Sequence, residues 1–78
     1  MLSEAIRYQE KSFSLLWDKG GNVPDEKWLP LYQATYLVDV RITQAQEYGV
    51  ERLDAKTIRG LEFEAKSNYL ALKKAFGK

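Results

Sequence analysis

The sequence predicts an all-α fold, an antiparallel three-helix bundle with short connections. Three observations lead there. Apolar residues recur at helical spacing in three successive segments. Helix-ending and helix-starting residues fall between those segments: Gly20-Gly21-Asn22 and Pro24 at the first junction, Gly49 and Asp54 at the second. The only run with the composition of a strand, Tyr36 to Ile42, has no turn residue at either border, so it continues a helix.

The first helix is expected over residues 3–18. Ser3 is placed to cap it, because a hydroxyl accepts an otherwise unpaired backbone N–H at a helix start. Leu2, Ala5, Ile6, Phe13, Leu16 and Trp17 make its main apolar stripe, and Tyr8 and Leu15 a smaller one. Gly20 and Gly21 supply a C-cap free of a Cβ penalty.

The second helix is expected over 30–48, preceded by a separate turn at 25–29. Pro24 suits a first helical position, and Asp25 and Glu26 suit the positive end of the helix dipole. Pro30 has no N–H and clashes one turn back, which predicts a kink or break there. Turned at roughly 100° per residue, this helix shows two apolar faces. Leu31, Ala34, Val38, Ile42 and Ala45 form one; Leu29, Tyr32, Tyr36 and Val40 form the other. Gly49 ends the helix.

The third helix is expected over 54–76. Asp54 is its N-cap, and Leu53 and Ile58 have the spacing of a hydrophobic staple. Ile58, Leu61, Ala65, Tyr69, Leu72 and Phe76 share one face, with Phe63 and Leu70 off it. Glu62 and Lys66 stand four apart in the favoured order, and Gly77 closes the helix.

A chain of 78 residues is read as a single helical domain, 1–78, and a domain that small is marginal in stability. It has no cysteine and no histidine, so neither disulfides nor thiolate or imidazole metal sites can staple it. Long packed helices or self-association remain. The 45% apolar content and ten aromatic residues are those of a folded chain.

Catalysis finds little to work with. Acid–base chemistry near neutral pH calls for a poised group, and Asp39, between Val38 and Val40, is the only ionisable residue inside an apolar run. It falls between the two apolar faces, near Thr35 and Gln46, in a seam read as solvated. The acids come in ones and twos rather than in the dense clusters of a carboxylate metal site. The expectation is no enzyme, no cofactor and no metal. No stretch approaches a membrane span, and the first residues lack a signal-peptide pattern, which together point to a cytoplasmic protein.

Charge is nearly balanced, +1 over the chain, without the basic excess of a dedicated nucleic-acid binder. It is uneven, though: 21–49 sum to −2 and 50–78 to +3. The alternative of a nucleic-acid-binding third helix using Lys56, Arg59 and Lys66 is weakened by the late start of that helix and by Glu62 beside Arg59.

What remains is surface. Trp17 and Trp28 either plug the end of the bundle, or Trp28, Tyr32 and Tyr36 form an exposed ridge. The functional expectation is protein–protein binding by a small regulator, adaptor or inhibitor of the kind that phages and mobile elements also encode. The partner is another protein or a second copy in a homodimer, and the contact residues are Trp28, Leu29, Tyr32, Tyr36, Val40, Phe63 and Leu70.

Overall fold

The computed structural model describes residues 2–19 and 24–76. Three helices, α1 (Ser3–Lys19), α2 (Asp25–Tyr48) and α3 (Ala55–Ala75), form a bundle. The molecule measures 41 × 19 × 16 Å. A 21-residue helix such as α3 is roughly 31 Å long, so all three axes must lie along the long dimension. Gln9 of α1 meets Thr35 of α2, and Arg41 of α2 meets Glu64 of α3. Tyr8 of α1 packs on Tyr69 of α3. The chain therefore runs up, down and up, with α1 parallel to α3 and α2 antiparallel to both.

Each helix buries a seam spaced alternately by three and four residues, as side-by-side helices require. In α1 the seam is Leu2, Ala5, Gln9, Ser12 and Leu16; in α2 it is Thr35, Val38, Ile42 and Ala45. In α3 it includes Leu61, Ala65 and Leu72. One continuous apolar cluster joins Leu2, Ala5, Val38, Ile42, Ala45, Leu61 and Ala65. Three of the seven are alanines, which let the backbones approach closely. Ile6, Tyr8, Val50, Leu53 and Ile58 pack around it. The cluster fills the end of the bundle nearest the α2–α3 connection.

Further along, the seam turns polar. Gln9, Ser12 and Thr35 are buried. Gln9 Nε2 donates to the Thr35 carbonyl at 2.9 Å, and Thr35 Oγ1 donates to the Leu31 carbonyl at 2.8 Å. Gln9 Oε1 and Ser12 Oγ have no hydrogen-bond partner among the described residues. This layer corrects the sequence reading of α1 and of the Thr35 seam. The apolar stripe with Phe13 and Trp17 lies to one side of the true seam, and Tyr8 lies to the other. The seam between them carries the two polar residues. Trp17 sits roughly 100° from the seam centre and is 91% exposed, so it is neither core nor plug.

Helix boundaries differ from expectation at three places. α1 has Ser3 as its first helical residue, and the Leu2 carbonyl accepts from the Ile6 amide at 2.9 Å, so the cap position is Leu2. α2 does not break at Pro30: residues 25–29 and 30–48 form one helix with Pro30 inside it. Pro30 stands in the second turn, where the one carbonyl it deprives of a donor is that of Glu26, on an exposed residue open to water. The α2–α3 connection contains a 3-10 turn, Val50–Arg52, that the spacing did not reveal. The caps read at Gly20-Gly21-Asn22 and the close at Gly77 lie outside the described residues.

The α2–α3 connection otherwise follows its residues. Gly49 has φ +114°, and its amide donates to the Ala45 carbonyl at 3.0 Å. A Cβ there would also crowd Arg52 Cδ at 3.1 Å. Asp54 caps α3, its Oδ1 accepting the Thr57 amide at 2.9 Å. Leu53 and Ile58 both pack against the core cluster, as a staple requires.

Three outcomes are expected. Ser12→Ala removes a buried hydroxyl that has no partner among the described residues and raises unfolding stability by about 1 kcal/mol, readable as a higher urea midpoint at unchanged slope. Gly60, inside α3, has nothing within 4 Å of the place its Cβ would occupy. Gly60→Ala therefore stabilises the monomer by roughly 0.5–1 kcal/mol through helix entropy alone. The Thr57 hydrogen bonds hold the Asp54 carboxyl below its ordinary 3.8. A depressed folded pKa gives stability that is full above the unfolded value and lost as pH falls through the folded one. Asp54→Ala should lower the melting temperature at neutral pH, and the gap to wild type should close on acidification through that range.

Candidate partner-binding surface

The aromatic face of α2 is built by helical spacing. Trp28, Tyr32 and Tyr36 stand four apart, so each ring overlies the next turn. Trp28 and Tyr32 meet edge to face with centroids 6.2 Å apart; Tyr32 and Tyr36 stack at 6.5 Å with 22° between planes. Trp28 Nε1 donates to Asp25 Oδ1 at 3.1 Å, which ties the first ring to the helix start. These contacts fix the rings relative to one another and leave two of them open to solvent: Tyr36 remains 53% exposed and Tyr32 is exposed, as is Leu29, while Trp28 is half-buried. Leu37 extends the apolar surface around the helix.

The polar layer explains why this face lies open at one end. Beyond Gln9 and Thr35 the apolar cluster has stopped, and α1 and α2 share only a cleft of about 340 Å³. Phe13, Leu16 and Trp17 line it from α1; Trp28, Leu29 and Tyr32 line it from α2. Trp17 forms its rim from the α1 side. The aromatic face and the cleft are continuous through Trp28, Leu29 and Tyr32.

The structure divides the sequence-derived contact residues into two groups. Trp28, Leu29, Tyr32 and Tyr36 come together, with half-buried Val40 next along the same face. Phe63 and Leu70 lie elsewhere, on the solvent face of α3, 71% and 52% exposed. Lys56, Arg59 and Lys66 are exposed on that same face. Three members of the α2 site escaped sequence reasoning: Phe13, Leu16 and Trp17 join it although their spacing assigned them to the core. A Trp at the margin of a stripe, just before a Gly-Gly turn, was the available signal.

Asp39 is half-buried between buried Val38 and half-buried Val40. Among the described residues no three acidic side chains gather into a cation site. No described helix is long and apolar enough to cross a membrane. A comparison with protein-family profiles, with curated proteins and with solved structures finds no match to this chain.

Proposed function

We propose that the protein acts by binding rather than by catalysis, docking another protein through the aromatic face of α2 and the adjoining α1–α2 cleft. One observation carries this reading: three rings pack in succession along one side of α2, half-buried Trp28 at the cleft and Tyr32 and Tyr36 exposed to solvent. Large rigid side chains with few rotors make strong interface anchors, and rings already held by their neighbours lose little freedom on binding. Tyrosine hydroxyls keep such a surface wettable while it is free. A regulator, adaptor or inhibitor needs no more machinery than this.

The nucleic-acid alternative through Lys56, Arg59 and Lys66 has less support. A helix-turn-helix sets its two helices at about 90–120°, whereas the 19 × 16 Å cross-section holds α2 and α3 side by side.

Affinity capture from cells of the source organism, followed by binding measurements on the captured protein, tests the reading. Tyr32→Ser or Tyr36→Ser is expected to weaken binding by about 2 kcal/mol, roughly thirty-fold, if each ring is an anchor. Both lie on the surface, so the melting temperature should hold. A partner bound equally well by the double Tyr variant would refute the assignment.

A further inference from the structure

The solvent face of α3 differs in kind from that of α2. Phe63 and Leu70 stand seven residues apart along it, two helical turns. Around them the cations Lys56, Arg59, Lys66, Lys73 and Lys74 are all exposed. These cations outnumber the two carboxylates of the helix. Glu64 is half-buried toward α2 and bonded to Arg41 at 2.6 Å. Glu62 is half-buried and lines one groove with Tyr8 of α1 and with Arg59, Phe63 and Lys66, so it offsets part of the charge there and leaves the face positive on balance.

The outward face of α2 has the opposite character. Leu29 and Tyr36 also stand seven apart on it, with exposed Glu26 and Glu47 in the same sector. Neither cation of α2 shares it: Arg41 is turned to Glu64, and Lys27 falls on the other side of the helix. One antiparallel register brings Leu29 opposite Leu70, Tyr36 opposite Phe63 and Glu26 opposite Lys73. Equal apolar spacing and opposite rim charge make the two faces complementary. Within one molecule they point away from each other, because α2 and α3 pack through their seams.

We propose that the chain docks head to tail on a second copy of itself, the outward face of α2 in one molecule lying antiparallel on the outward face of α3 in the next. The proposal rests on the reading of the α2 face as a docking surface, and it names the occupant. The contact is heterologous, so each molecule keeps one free face of each kind and association is open-ended. A single helix-on-helix seam buries less than the roughly 1,200 Å² at which stable interfaces begin, so the contact is weak and reversible.

Sedimentation of the intact chain over a wide concentration range, at low and high salt, tests it. The average mass of wild type should rise with concentration and fall as salt screens the rim charges. Tyr36→Glu and Phe63→Glu should each stay monomeric alone. Mixed together they should form a 1:1 dimer and nothing larger, because each supplies the one face the other has lost. Lys73→Glu should weaken association two- to five-fold, about the worth of one exposed ion pair, and Glu26→Lys in the same chain should restore it. Wild type that stays monomeric throughout overturns the proposal, and so does an associating wild type whose two variants fail to complement. Monomeric chain retained by duplex DNA or by anionic phospholipid vesicles, and released by Lys66→Glu, would give the α3 face to another occupant and equally overturn it. If wild type is monomeric yet still captures a cellular protein through Tyr36, self-docking fails while the binding function of the α2 face stands.

Discussion

The three-and-four spacing of the seams is the constraint on which the rest of the molecule depends. Helices lying side by side touch along one narrow line each, and every other side chain must look elsewhere. In a chain with no disulfide to hold it, that line carries the stability. Alanines at positions 5, 45 and 65 let the backbones close up around Val38, Ile42 and Leu61. The price of so narrow a core is that bulky apolar residues one position off the line are left at the surface.

The polar layer divides the bundle into two unequal parts. On one side of Gln9 and Thr35 the apolar cluster is continuous and is capped by the Gly49–Asp54 connection. On the other side the interior is reduced to a few residues such as Leu16 and Leu72, and α1 and α2 leave a cleft between them. A hydrogen bond from Gln9 to the Thr35 carbonyl ties the helices at the boundary. The unpaired Gln9 Oε1 and Ser12 Oγ are a cost that an all-apolar seam would avoid. Stability is thus concentrated at one end, and large aromatic surface at the other.

Charge follows the same separation by face. The acidic lean of the middle of the sequence is carried outward on α2, and the basic lean of its last third outward on α3. The acids of α3 are drawn to its flanks, where Glu64 meets Arg41. A nearly neutral chain therefore presents two faces of opposite sign, each with large apolar residues at its centre. Net charge alone conceals this, because it sums over faces that never see one another.

The sequence by itself determined the helices, their order, most of their limits and the caps at Gly49 and Asp54. All of these depend on neighbours within a turn or two. It also marked Tyr32, Tyr36, Phe63 and Leu70 as apolar residues beyond the needs of a core. It misplaced Trp17 and Thr35 and passed over Gln9 and Ser12, because hydropathy ranks residues by type, while burial here is decided by angle from the seam. It also began the main second helix at Pro30, with a kink or break there, because the cost of proline was read without knowing where the helix began and which carbonyl water could reach. Which apolar stripe faced inward, and which faces gathered into a cleft or a charged patch, only the tertiary structure decided. Those outcomes depend on the relative rotation of three helices, which no single helix encodes.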